Sequence, residues 1–424
     1  MVTWLKKQLE RAAEVRESEI RALLIAFAYF FCLLSAYYLL RPVRDEMGIA
    51  GGVRQLQWLF TGTFAVMLLA VPLFGILVAR VPRRKFLPAV YWFFIANLLI
   101  FYGLFGLEEY RVYIGRAFFI WVSVFNLFVI SVFWSFMADL FSNEQGKRLF
   151  GFIAAGGSLG AITGPTIAAE MVVPFGPDNL LLISSAFLVL AVVCIHALLK
   201  TAHTETPSQP VEAAPIGGGI LAGASEVAKS PYLLGICLYL FLYTASSTFL
   251  YFLQADIVSS ASSDPSERVR IFARIDQAVG LATILIQCFV TGRFMRRFGV
   301  GLAAALLPVV TIAGFAALAA APGVLMVTGF QTLRRAVNFS ISRPAREVLF
   351  TVVTREQKYK SKNFIDTVIY RGGDAVSGWA IRLLGLEGGL IVLIAAPAAL
   401  LWIVVALMLG KNQDRMAEQL SPAE

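Results

Sequence analysis

Long apolar stretches broken by short polar punctuation run the length of the chain. Many reach the ~20 residues needed to cross a bilayer as a helix. Twelve spans are predicted, at about 20–46, 55–79, 86–106, 112–139, 147–170, 179–199, 231–256, 269–291, 300–320, 323–350, 362–384 and 388–409. The runs are continuous and do not alternate every second residue, which argues against a membrane barrel. Between the sixth and seventh spans lies 201–228, TAHTETPSQPVEAAPIGGGILAGASEVA, whose Pro, Gly, Thr and Ala mark a linker. The expected architecture is an all-α membrane protein of twelve transmembrane helices in two six-helix pseudo-repeat domains. An amphipathic segment at 1–19 precedes a first domain at 20–200, and the linker leads to a second at 229–410 and a tail at 411–424. The opening MVTWLKKQLERAAEVRESEIR reads as a charged amphipathic stretch, not a cleavable signal.

Composition agrees. Of 424 residues 58% are hydrophobic and 15% charged, far from the balance of a soluble domain. A net charge of +9 would suggest nucleic acid in a soluble protein; here it reads as topology. Loops after even-numbered spans hold Arg80, Arg83, Arg84, Lys85; Lys147, Arg148; Arg293, Arg296, Arg297; and Arg355, Lys358, Lys360, Lys362. The positive-inside rule then places both termini in the cytoplasm of a multi-pass protein of the inner (cytoplasmic) membrane. Cys32, Cys194, Cys237 and Cys288 fall in apolar runs without a CxxC pair and read as small buried hydrophobes. His196 and His203 form no metal-ligand constellation, so neither metal nor cofactor is expected. No Walker loop and no extramembrane domain large enough for an enzyme occur, so any transport runs on gradients or exchange.

Charge inside such spans is the candidate chemistry. The stretch YYLLRPVRDEMG, residues 37–48, places Tyr37, Arg41 and Asp45 on one helical face with Arg44 beside it. A helix from Ile20 to Gly48 is ~43 Å long at ~1.5 Å per residue, longer than the hydrocarbon core. These charges therefore lie either beyond the lipid, in local ion pairs, or at a cavity, where two arginines bind an anion in one state and pair internally in another. Pro42 is able to break the helix there.

In span 10, Gln331, Arg335, Asn338, Ser342 and Arg346 recur as one polar stripe, lining either a cavity or a structural seam. Span 11 puts Asp366, Tyr370 and Asp374 on one face with Arg371 near, and span 8 holds Arg274, Asp276 and Gln277. Asp45, Asp276, Asp366 and Asp374 read as counter-charges to nearby arginines or as proton carriers. In span 5, Gly156, Gly160 and Gly164 followed by Pro165 read as close helix packing first and a hinge second. Asn126 and Trp134 share a face of span 4.

The loops GILVARVPRRK, 75–85, and GRFMRRFGVG, 292–301, occupy the same place in each half. They resemble the short-loop signature of the major facilitator superfamily, with Ala79 and Arg296 in place of its aspartate. Three longer stretches resemble the ATP/ADP translocase family: LLRPVRDEMG, FWSFMADLFSNEQGKRLFGFIAAGGSLG and RPAREVLFTVVTREQKYKSKNFIDTVIYRGGDAVSG. The resemblance implies nucleotide exchange, a major-facilitator-type fold and a role for the first-span Arg-x-x-Lys-Asp motif. Here that motif is Arg41-Pro42-Val43-Arg44-Asp45, and the family's span-11 lysine is replaced by Asp374. Asn126 and Thr248-Phe249 stand where the family carries carboxylates. These departures point to a different substrate or to a proton replacing one exchanged ion.

The expected function is a secondary transporter of a small-molecule organic anion, a nucleotide or another phosphorylated metabolite, by alternating access. Tyr37, Arg41, Arg44, Asn126, Gln331, Arg335 and Asn338 would bind substrate. Asp45, Asp276, Asp366, Arg371 and Asp374 would be coupling groups or counter-charges, with protons as the candidate coupling ion. Two alternatives stay open: a proton-coupled carrier of a siderophore, peptide or drug, and a non-transporting membrane sensor or scaffold.

Overall fold

A computed structural model describes residues 16–80, 83–201, 220–386 and 389–420. The side chains of 74–80 and 83–85 lie outside that description, as does His203, so the expectations resting on the first basic loop are not addressed by it. The described residues are helical almost throughout. The helices are α1 (Glu17–Ala50), α2 (Leu56–Arg80), α3 (Arg83–Leu104), α4 (Arg111–Leu140), α5 (Asn143–Phe175), α6 (Asn179–Thr201), α7 (Ile220–Lys229) and α8 (Pro231–Ala261). They continue with α9 (Pro265–Ile286), α10 (Gly292–Ala320), α11 (Val324–Val337), α12 (Arg343–Leu349), α13 (Arg355–Phe364), α14 (Tyr370–Leu383) and α15 (Gly389–Leu420). Among the described residues nine helical stretches are long and apolar enough to cross a membrane, and one of them, Pro265–Ala320, contains two of the expected spans.

Several boundaries differ from expectation for identifiable reasons. The expected spans at 323–350 and 362–384 are helical, but arginines and carboxylates keep them outside those nine apolar stretches. Each also contains a π-turn, Asn338–Ser342 and Ile365–Ile369. The first π-turn adds a residue to the helical turn, so the stripe through Gln331, Arg335 and Asn338 is not continued in register to Ser342 and Arg346. Pro42 does not break α1, which runs helical to Ala50. The basic loop expected near 292–299 is helical instead, and the chain bends at Gly299, whose φ of 73° favours glycine. The predicted linker ends in a helix, α7, and α15 runs past the expected end at 409. Cys288 is exposed, not buried as the apolar run suggested, because a membrane helix turns apolar residues to lipid as well as to the core.

The chain forms two compact units. Unit 1 comprises 1–51, 69–213 and 264–277; unit 2 comprises 52–68, 214–263 and 278–424. The start of α2 thus belongs to unit 2 and the start of α9 to unit 1, although each lies in the opposite half of the sequence.

In unit 1, α1 is the central helix and packs against α4, α5 and α6. Glycines set the α1–α5 spacing. A Cβ at Gly156, Gly160 or Gly164 would strike the carbonyl oxygen of Phe27, Phe31 or Ser35 on α1. Between lipid-covered helices the hydrophobic effect supplies little attraction, so close backbone approach and interhelical hydrogen bonds must supply it. Ser184 of α6 accordingly donates to the Ala36 carbonyl at 3.0 Å, and the buried Tyr29 hydroxyl donates to Tyr91 at 2.6 Å. Phe30 stacks on Phe133, and Trp121 stacks on Phe125.

Unit 2 packs α8 against α14 and α15, and α10 against α15. Trp402 is fully buried, with the rings of Tyr239 and Tyr243 at 5.5 and 6.0 Å. Tyr239 and Tyr232 donate to the carbonyls of Ala304 and Leu349. The linker helix α7 lies on α13, where a Cβ at Gly223 would strike the Lys360 carbonyl. The same helix cap occurs in both units. Ser142 caps α5 in a reciprocal box with Gln145, and Thr354 caps α13 in the same way with Gln357.

Gly160→Val should lower stability by about 1–3 kcal/mol, since the α1 backbone has nowhere to move. Gly151→Ala is the control: open space surrounds it, and stability should hold or rise by up to ~1 kcal/mol. Unfolding of the purified variants in detergent micelles measures both.

Candidate functional site

Unit 1 gathers charge at the C-terminal end of α1. Arg41 pairs with Asp276 of α9 at 3.3 Å, and Arg268 of α9 pairs with Glu46 at 2.6 Å. On α1 the cation precedes the anion; on α9 Arg268 precedes Asp276 by eight residues. First cation therefore meets last anion, and last anion meets first cation, as two antiparallel helices with matched charge order require. Arg274 adds a 2.6 Å pair with Glu170 of α5, and the Gln277 amide donates to Thr166 at 2.9 Å. Glu46 and Asp276 are almost wholly buried, at 1% and 3% exposure.

The neighbouring candidates are also occupied. Arg44 donates twice to Asp45, at 3.0 and 2.7 Å, and its guanidinium lies 4.6 Å from the centre of the Phe119 ring. Tyr37 packs edge-on against Tyr38. Asn126 of α4 has a buried Oδ1 with no hydrogen-bond partner among the described residues. Trp134 belongs to the Phe30–Phe133 aromatic cluster.

Unit 2 holds a polar interior around α8, α11 and α14. Gln331 donates to Gln254, both buried. Asn338 donates to the Tyr243 hydroxyl at 3.1 Å, and the Tyr243 and Tyr370 rings lie 5.9 Å apart. Thr248 donates to Asp374 at 3.1 Å, and Arg371 lies 3.9 Å from the same carboxylate. Gly373 permits this approach, because a Cβ there would strike the Thr244 hydroxyl. Arg335 is half-buried on α11, whereas Asp366 is exposed within its π-turn. From the start of α2, Thr61 accepts a 3.0 Å hydrogen bond from the Trp379 indole N–H.

Of the residues singled out from sequence, Arg41 meets Asp276 and Arg371 approaches Asp374. Three participants were not singled out. Glu46 and Arg268 form the shortest ion pair of the α1–α9 clasp. Arg334 is the fully buried arginine of α11, although its neighbour Arg335 fitted the polar stripe. A signal for Arg334 existed in Tyr243-Thr244-Ala245-Ser246-Ser247-Thr248, a run of hydroxyls inside an apolar span.

Glu46→Gln should destabilise the protein by about 3–5 kcal/mol, because it removes the carboxylate from a largely buried ion pair with Arg268. The exchanged pair Glu46→Arg with Arg268→Glu should recover most of that loss. A double-mutant cycle on unfolding in micelles reads the coupling; full additivity would show that the two groups do not interact.

A family-wide sequence profile described as Major Facilitator Superfamily matches residues 22–342. No curated protein matches the chain. Among solved structures, a bacterial homologue of the iron transporter ferroportin in an inward-facing state has TM-score 0.66 and 13% identity, covering 93% of this chain and 100% of that one. A mutant of the nucleoside transporter NupG has TM-score 0.59 and 15% identity, covering 94% of this chain and 100% of its own. A bacterial homologue of the human lysosomal transporter Spinster, inward-facing and unoccupied, has TM-score 0.57 and 15% identity, covering 96% and 100%. At such identities these likenesses carry the fold alone. With a profile match over most of its length and the helical architecture described above, the chain belongs to the Major Facilitator Superfamily.

Proposed function

We propose that this protein is a secondary active transporter of an organic anion, with a nucleotide or another phosphorylated metabolite as the first candidate. The observation that carries this reading is the placement of arginine. Arg41 and Arg44 in α1, Arg334 and Arg335 in α11 and Arg371 in α14 are all buried or half-buried within helices of a transporter family. Intramembrane arginines are costly and are retained mainly where they meet a substrate or an internal partner. Guanidinium suits the planar, bidentate recognition of phosphate and carboxylate.

Alternating access supplies the mechanism. Arg41 and Arg44 are both in ion pairs in this structure, the internally paired member of a two-state arrangement. An anion entering near them would replace Asp276 or Asp45 as counter-ion and so weaken the pairs that hold this state. The basic loops after even-numbered spans support a cytoplasmic placement of both termini in the inner membrane. A second reading, a proton-coupled carrier of a non-nucleotide solute, draws on Asp374. Its carboxylate sits within a helix beside the neutral Thr248 hydroxyl and lies 3.9 Å from its cation.

Proteoliposomes loaded with ADP should take up labelled ATP saturably, and Arg44→Ala should reduce the initial rate at least about tenfold, through loss of a charge-assisted contact. Folded protein that moves no ATP would reject the nucleotide. Uptake of another solute driven by an imposed pH gradient, and abolished by Asp374→Asn, would establish the second reading instead.

A further inference from the structure

Arginines across unit 1 pair with carboxylates, among them Arg41 with Asp276, Arg44 with Asp45, Arg111 with Asp178, Arg148 with Glu19, Arg268 with Glu46 and Arg274 with Glu170. Arg334 of unit 2 differs. It is 1% exposed, and its partners among the described residues are all neutral. One Nη donates to Ser247 at 3.2 Å. The other donates to Ser246 at 2.9 Å and to the Tyr243 carbonyl at 3.3 Å. The Tyr243 ring lies 5.4 Å from the guanidinium carbon. Its Nε–H is buried and has no acceptor among the described residues.

Hydroxyls and a ring face offset part of the desolvation of a guanidinium but do not neutralise it. A buried cation without a counter-charge is among the costliest arrangements in a protein. Two features point to what answers it. The Nε–H is the donor of this guanidinium that no acceptor among the described residues engages, and it can give a charge-assisted hydrogen bond to one oxygen of an anion. The π-turn Asn338–Ser342 begins four residues on. Such turns mark places where a helix changes its winding, and they cluster at functional sites.

We propose that Arg334, held by Ser246, Ser247 and Tyr243, is an oxyanion-binding site whose ligand is a phosphoryl or carboxylate group. The proposal deepens the transport reading, on which it rests, by naming the residue that receives the charged group of the substrate. The hydroxyl run of α8 fixes both Nη groups and leaves the Nε–H as the donor for the anion. Tyr243 also links this grip to the π-turn that follows α11, where the Asn338 amide donates to its hydroxyl.

The test is thermal unfolding of the purified full chain in nanodiscs, titrated with sodium phosphate, sodium acetate or sodium chloride at matched ionic strength. Wild type should be stabilised by phosphate or acetate beyond chloride, and the more effective of the two identifies the group. Arg334→Gln should lose that shift, and in chloride alone should melt no lower than wild type, because an uncompensated charge has gone. Arg334→Lys keeps the charge but loses the Nε donor and the fixed planar geometry, and its apparent affinity should fall about tenfold. No oxyanion-specific shift in wild type, or an undiminished shift in either variant, would overturn the site. A protein that binds phosphate through Arg334 yet moves no anion in proteoliposomes keeps the site and removes the transport reading. Anion transport untouched by Arg334→Lys does the reverse.

Discussion

A guanidinium or carboxylate carried into a low-dielectric interior costs several kcal/mol unless an opposite charge stands close by. That constraint organises the polar structure of this protein. In unit 1 it is met internally. Glu46 is buried beside Arg268, and Asp276 beside Arg41. The order of the charges along α1 and α9 admits one register between the helices. A shift by one turn would strand four charges at once, so the clasp specifies position more than it adds stability. The segment of α9 so held, residues 264–277, comes from the opposite half of the sequence to the rest of unit 1. Any rearrangement that frees it must find other partners for the same charges, and a bound anion is a partner for a cation.

The apolar scaffold makes this possible. Gly156, Gly160 and Gly164 let α5 lie against the α1 backbone, and aromatic residues fill the wider gaps between α1, α3 and α4. Rigid helices on either side keep the charged groups in place. In unit 2 the corresponding apolar packing lies around Trp402, and α11 and α14 adjoin π-turns.

Much of the architecture was legible because burial in a membrane leaves a coarse, long-range pattern. Apolar runs located nearly every helix, and repeated loops pointed to the superfamily. Partnerships were harder to read. Arg41 and Asp276 each stood out as intramembrane charges, but 235 positions separate them, and only the packing of α9 on α1 joins them. Arg335 fits the polar stripe better than Arg334 because a single-period helix assigns faces by counting, and one residue is a turn of about 100°. Where the hydroxyls of α8 lie decides which of the two is buried. The π-turns carry no local sequence pattern that separates them from ordinary helix, so the break in the span 10 stripe leaves no trace in the sequence.

In unit 1 the half-buried Arg41 and Arg268 are answered by carboxylates, whereas in unit 2 the fully buried Arg334 is the proposed anion site. A crystal structure of the protein grown with tungstate, a heavy phosphate-like oxyanion, tests this most directly. An anomalous peak is expected within hydrogen-bonding distance of Arg334 Nε and none beside Arg268, whose charge Glu46 already answers. A peak at Arg268 with Arg334 empty would contradict that assignment.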